Sequence, residues 1–274
     1  YLIRSSHYSV IAGIGSYDIE TEQHIISSIS NQIESKFESN FKRERDNAYI
    51  YANINYPSNL IWTLGLSYDA FHEGNYYSDN LNPKLGLLWN INDNTRLRFA
   101  AFQAIKPALV VEQTIEQTQV AGFNQFFDDT NGTRSRRYGV GFDARLTKNV
   151  YAGIEASRRD IERPILRSED LKLDYFEDEQ EDLYRAYLYW IPHHRWAVRT
   201  EYQFERFKRE RNENDVDVDA PTRLETTTFP IAVYYFDPSG VFGELETFYV
   251  NQDVERTPIA RENDSSVTSR LATG

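Results

Sequence analysis

The chain contains no cysteine and no methionine. Without cysteine there are no disulfides, no thiolate metal sites and no cysteine nucleophile. No run of about 18 apolar residues occurs, so no transmembrane helix can be read from it. Basic charge is also scarce: 30 Lys and Arg stand against 42 Asp and Glu, for a net charge of -12. That balance argues against a nucleic acid partner, because a phosphate backbone needs a basic surface. The first residues, Tyr1-Leu2-Ile3-Arg4, carry no signal-peptide pattern. The expectation is therefore one domain over residues 1–274, cut at both ends from a longer protein.

Aromatic residues, by contrast, are plentiful: 19 Tyr and 16 Phe. The four tryptophans, Trp62, Trp89, Trp190 and Trp196, each lie within three residues of a short turn. Each also falls on the apolar phase of an alternating segment, as in Leu60/Trp62/Leu64/Leu66/Tyr68 and Trp196/Val198/Thr200/Tyr202/Phe204. Indole settles where hydrocarbon meets headgroup, so tryptophans at one end of alternating strands form the girdle of a membrane β-barrel. A soluble β-sandwich would scatter them through its core. Tyr56 and Tyr235 extend the same row, and Tyr68, Tyr138, Tyr202 and Tyr249 mark a second belt at the other end. From Trp196 to Phe204 is roughly 20 Å of height, from a rise of ~3.3 Å tilted by ~40°. That is close to the thickness of an outer-membrane apolar band.

Short turns alternate with long polar stretches. The turns are Pro57-Ser58-Asn59, Asn92-Asp93-Asn94, Thr147-Lys148-Asn149, Pro192-His193-His194-Arg195 and Asp237-Pro238-Ser239-Gly240. Between them lie residues 18–46, 71–80, 106–137, 158–182, 207–222 and everything after 254, all expected to be loops. Tight turns on one side and long loops on the other are the plan of an outer-membrane barrel. Eleven strands are expected between Tyr8 and Val254, and Tyr1-Arg4 supplies a twelfth. The fold class expected is all-β: an antiparallel up-and-down transmembrane barrel, with these strands part of a larger one.

The polar phase of the strands mixes both signs at neighbouring positions. Arg96, Arg98, Asp143, Arg145, Glu155, Arg159, Arg199, Glu201, Glu205, Glu244 and Glu246 are the expected lumen-lining residues, cross-linked by ion pairs. In a soluble sheet the same residues would face bulk water while the apolar phase packed a core.

Several segments carry a family resemblance. Asn82-Pro83-Lys84-Leu85-Gly86-Leu87 resembles a strand opening common in the barrels of TonB-dependent outer-membrane receptors. Ala101-Phe102-Gln103-Ala104-Ile105-Lys106-Pro107-Ala108-Leu109 is similar to the strand after it, which in the family ends in a phenylalanine-arginine-alanine-proline box. Ile115-Glu116-Gln117-Thr118-Gln119 and Tyr138-Gly139-Val140-Gly141-Phe142-Asp143 resemble the next segment. The likeness covers about residues 60–160. The arginine of the box is missing, as are a plug domain, a TonB box and a C-terminal aromatic, which leaves coupling to TonB open. Residues 119–129 are also similar to barrels fused behind tetratricopeptide repeats in envelope proteins.

These resemblances imply a Gram-negative outer-membrane barrel that binds or passes an unidentified solute without chemistry. Its expected partners are outer-membrane lipid and a plug or periplasmic repeat domain of the same polypeptide. An export or scaffold barrel of a repeat-bearing envelope protein is one alternative, and a soluble β-sandwich binding module is another. No GxSxG, P-loop or HExxH pattern occurs, so no enzyme activity and no cofactor are expected. His193-His194 reads as a solvated turn rather than a metal pair. Asp215-Val216-Asp217-Val218-Asp219 mimics the start of an EF-hand loop, but lacks its glycine and its final glutamate. It reads as a solvated acidic loop, as does Glu177-Asp178-Glu179-Gln180-Glu181-Asp182.

Overall fold

A computed structural model describes residues 1–29, 33–106, 118–125, 129–167, 172–210, 220–257 and 260–273. The strands are β1 (Leu2–Arg4), β2 (Tyr8–Ile29), β3 (Ile33–Ile54), β4 (Leu60–Glu73), β5 (Tyr76–Asn92), β6 (Thr95–Ile105), β7 (Gln119–Val120) and β8 (Phe123–Asn124). After these come β9 (Arg134–Thr147), β10 (Val150–Leu166), β11 (Leu173–His193), β12 (Trp196–Arg209), β13 (Arg223–Phe236), β14 (Phe242–Thr257) and β15 (Ala260–Thr273). All but β7 and β8 form one 13-stranded sheet in which every strand pairs antiparallel with its neighbour in order. Among the described residues β1 and β15 are its two edges. One meandering sheet, rather than two packed ones, rules out the β-sandwich.

Strand alternation places the five short turns on one rim. They join β3 to β4, β5 to β6, β9 to β10, β11 to β12 and β13 to β14. Adjacent turns are tied together: Arg195 Nη1 donates to Asp237 Oδ2 at 2.9 Å, and Tyr235 Oη to the same oxygen at 3.0 Å. The Ser239 backbone N–H donates to Asp237 Oδ1 at 2.9 Å and, with its hydroxyl and that of Tyr235, holds this carboxyl below the usual aspartate range.

The opposite rim departs from expectation, because most of the expected loops are strand. β2 and β3 stay paired from Tyr8↔Ile54 out to Ile29↔Ile33, which absorbs residues 18–46. β4 and β5 are joined only by Gly74 and Asn75, with Gly74 at φ 59, the left-handed region that favours glycine. β10 and β11 run on to Leu166 and from Leu173, and the polar tail after 254 contains the whole of β15. At 22 residues, β2 and β3 are about twice the length a bilayer requires. Beyond the apolar band both faces of a strand meet water, so its sequence loses the alternation that marks strands. The backbone ladder and cross-strand ion pairs, such as Lys42 with Asp18 at 3.5 Å, continue it instead.

The two faces differ sharply. In β4, Leu64, Leu66 and Tyr68 are exposed while Thr63, Ser67, Asp69 and Phe71 are buried. In β5, buried Ser78, Asn80, Asn82 and Lys84 alternate with exposed Tyr77, Leu81, Leu85 and Trp89. Across the sheet many large hydrophobic residues are exposed and most of the buried residues are polar or charged. A water-soluble domain shows the reverse. Two hydrophobic clusters are buried, Phe71/Tyr76 and Ala100/Phe102/Val120/Ala121/Phe123.

Candidate functional site

The candidate site is the polar face. Arg98 on β6 lies beside Gly141 of β9, which in turn pairs with Glu155 of β10. With no side chain at Gly141, the guanidinium lies flat across β9. Its Nε donates to Asp143 Oδ2 at 2.8 Å and its Nη2 to Glu155 Oε2 at 2.9 Å. A Cβ on Gly141 would sit 2.7 Å from Arg98 Nη2. Tyr187 Oη also donates to Asp143, so one network spans β6, β9, β10 and β11.

The other expected wall residues fall as follows. Arg159 binds Asp129 and, at 3.0 Å, Glu181. Arg199 pairs with Glu246 at 2.5 Å, and Glu201 accepts from Arg185 Nε at 3.1 Å. Glu205 accepts from Gln203 at 2.8 Å, and Glu244 lies opposite Tyr234 in the ladder. Arg96 donates to Asn90 at 2.7 Å, while Arg145 caps the Lys148 carbonyl at 3.3 Å over the Tyr151 ring. Most of these ionic partners come from other strands, whereas the sequence suggested partners along the same one. Same-face neighbours on one strand are about 6.6 Å apart and adjacent strands about 4.8 Å, so the cross-strand partner is nearer.

The acidic run 177–182 is a correction. It is not a solvated loop but part of β11, and alternation splits it between the faces. Glu177, Glu179 and Glu181 meet Arg209, Arg163 and Arg159, each at 3.0 Å. Because those arginines sit on β10 and β12, no spacing rule along the chain could reveal them.

Sequence reasoning also missed a second cluster. Arg45 donates to Asp69 Oδ1 from Nε at 3.0 Å and from Nη2 at 2.5 Å, and Asn82 Nδ2 donates to Asp69 Oδ2 at 2.9 Å. Lys84 Nζ reaches Tyr51 Oη at 2.5 Å and Gln125 Oε1 at 2.8 Å. The available signal was the polar phase of β3 to β5. Asn82 and Lys84 sit within the very motif that carries the family likeness.

Gln125 follows the most informative element, the β7–β8 hairpin. Residues 106–137 were expected to be an outer loop, yet the described part lies on the polar face. Its turn residues Ala121 and Gly122 have φ of 49 and 85, matching the two-residue turns of tight hairpins. Val120 and Phe123 are 0% and 1% exposed. Phe123 covers Gly139 and Val120 covers Gly86, while the Arg98 guanidinium stacks 5.1 Å from the Phe123 ring centroid. Arg137 donates to the Asn124 carbonyl and to Ser157 Oγ, both at 3.0 Å. The tip of the hairpin reaches Arg98, three residues from the start of β6 at the short-turn rim.

A Cβ on Gly139 would lie 2.4 Å from the Phe123 ring. Gly139→Val is expected to eject the hairpin and cost about 1–3 kcal/mol of overpacking. Hydrogen exchange over residues 118–125 checks this, and unchanged protection would contradict the packing.

Among the described residues no group of three His, Cys, Asp or Glu is placed to hold a metal. The His193 and His194 rings contact each other in their turn at 3.8 Å between centroids. Residues 215–219, the EF-hand-like stretch, lie outside the described residues. Of the expected interface aromatics, Trp62, Tyr68, Trp89, Tyr138, Trp190, Trp196, Tyr202, Tyr235 and Tyr249 occupy the apolar phase. Tyr56 lies outside the strands, before the β3–β4 turn, and is exposed.

A meandering antiparallel sheet with an apolar outer face and a charged inner one is an outer-membrane β-barrel wall. The family model for TonB dependent receptor-like β-barrels matches residues 7–156, and the chain belongs to that family. No curated protein matches. Pseudomonas aeruginosa FpvA bound to a heterologous pyoverdine shares the fold at TM-score 0.61 and 12% identity, over 98% of this chain and 40% of that one. The FrpB iron transporter of Neisseria meningitidis matches at 0.59 and 13%, over 98% and 49%. The ferric-catecholate import receptor Fiu of E. coli K12 matches at 0.56 and 10%, over 100% and 53%. The chain thus spans about half or less of each of these proteins. It is an all-β barrel chain of the Gram-negative outer membrane, in a family of transport and receptor barrels rather than enzymes.

Proposed function

We propose that this chain is wall of a receptor barrel that admits a polar solute from outside the cell and passes it along the charged face. In this reading Arg98, Asp143, Glu155, Arg159, Arg199 and Glu246 line the lumen. The aromatic rows sit at the two membrane interfaces, and the short turns face the periplasm. The observation that carries the reading is the β7–β8 hairpin pinned against the wall, since a segment on the inner face narrows the route a solute would follow. The wall offers that solute hydrogen bonds and mixed charge rather than hydrocarbon, which suits chelates and saccharides better than lipids.

Two measurements test it. Cells lacking the full-length protein should lose uptake of at least one member of a panel of labelled iron chelates and oligosaccharides. Uptake of the whole panel at normal rates would remove the receptor reading. In planar bilayers, Val120→Gly/Phe123→Gly in the full-length protein should raise potassium chloride conductance by loosening the hairpin. A conductance equal to that of the parent would show that the hairpin does not narrow the route.

A further inference from the structure

On the apolar face, between β5 and β13, two concavities lie end to end. The first, a groove of 590 Å³, has a floor of Leu85, Phe99, Val140 and Ala156 and is closed at one end by Arg158, Asp182 and Arg206. Those three form one cross-strand row, with Arg158↔Asp182 and Asp182↔Arg206 in register. The next row on the same face, Asp160↔Gln180↔Lys208, lies two residues nearer the long-connection rim. It opens the second concavity, a basin of 810 Å³ that Arg136, Glu162 and Arg223 also line. Hydrocarbon-lined space, a row with two arginines and a polar basin therefore follow one another toward that rim.

We propose that this track is a binding site for the phosphorylated glycolipid of the outer leaflet. Its acyl chains would occupy the groove, a phosphate the Arg158/Arg206 row and its sugars the basin. The guanidinium fork suits a phosphate, and Arg158 keeps 55% of its side chain exposed beside its bonds to Asp160 at 2.9 Å and Gln180 at 2.7 Å. Carboxylates accept from sugar hydroxyls while arginine and glutamine amides donate to them, which explains a basin of mixed sign. A glycerophospholipid would fill the groove and leave the basin without a partner. The site is independent of the solute route, because it lies on the opposite face of the sheet.

The test reconstitutes the full-length protein in nanodiscs holding phosphatidylglycerol with purified rough lipopolysaccharide and reads bound lipid by native mass spectrometry. Arg158→Ala should lower lipopolysaccharide retention by about tenfold, the scale of one lost charge-assisted contact, and leave phosphatidylglycerol unchanged. Arg206 pairs with buried Asp182 at 2.5 Å, so it is tested with its partner as Arg206→Leu/Asp182→Leu, and the same loss is expected. Heat-modifiable mobility on gels reports that each variant is folded. Dephosphorylated lipopolysaccharide should bind the parent as weakly as intact lipopolysaccharide binds the variants. Equal retention by parent and both variants, equal loss of phosphatidylglycerol, or indifference to the phosphates would each overturn the assignment.

Discussion

Arginine at Leu64 destabilises the folded barrel in liposomes by about 2–4 kcal/mol, while arginine at Trp62 or Tyr68 costs about 0–1 from charge placement. Leu64 is 44% exposed on the apolar face and midway between its turn and Tyr68, so its substituent reaches the centre of the hydrocarbon. There a charge finds neither water nor a counter-ion. Nearer the ends of the band the long arginine chain can carry its head to the interface. The control belongs at Ala197, on the polar face. Thr63 is a poor control despite sharing that phase, because it is 5% exposed and donates to Asn53 at 2.8 Å. The readout is folding free energy of the full-length variants in liposomes. Equal costs at band centre and band edge would refute the depth dependence on which the membrane placement rests.

Asp69→Leu is the second large effect, at about 3–5 kcal/mol. Its side chain is 3% exposed and receives Arg45 twice through one oxygen and Asn82 through the other. Removing it strands the Arg45 guanidinium, itself 7% exposed, where little water can reach. The cost comes from that uncompensated charge rather than from the net worth of the pair, because desolvation already consumes most of the Coulomb attraction. Arg45→Leu/Asp69→Leu should therefore recover most of the loss, and a denaturant titration of the three variants measures the coupling. A double variant as unstable as the single one would show that the pair is not what Asp69→Leu breaks.

The membrane band was readable residue by residue. Lipid on one side and a polar interior on the other impose period two on every strand, so Leu60 to Tyr68 and Trp196 to Phe204 declared their faces without coordinates. The tight turns were readable for a similar local reason, and the four tryptophans marked one rim. From these the eleven long strands between Tyr8 and Val254 and their order followed, and they agree with the structure, while the expected long loops at 18–46, 71–80 and after 254 do not. Outside the band that constraint lapses. The outer halves of β2 and β3 are strands whose sequences resemble loops because water lies on both sides, whereas β15 crosses the band beside β14 with Val267 opposite Tyr249 and Leu271 opposite Leu245 as its apolar-phase residues.

The ionic partners were not readable at all. Which residue Arg98 meets depends on the register of β6 on β9 and of β9 on β10, and on the missing side chain at Gly141 between them. Alternation and a tight turn fix the register within a hairpin such as β9–β10, but the register of β6 on β9 spans the long segment between them, which no turn pattern sets. The same holds for the β7–β8 hairpin. Its own sequence marks a turn at Ala121-Gly122, but its position on the wall depends on Gly86, Gly139 and Arg98, contributed by three other strands. The sequence by itself determined that the chain is a membrane sheet with one greasy and one charged face, because that pattern repeats within each strand. Only the tertiary structure decided which charges meet and where the β7–β8 hairpin packs on the charged face, because those contacts join residues tens of positions apart.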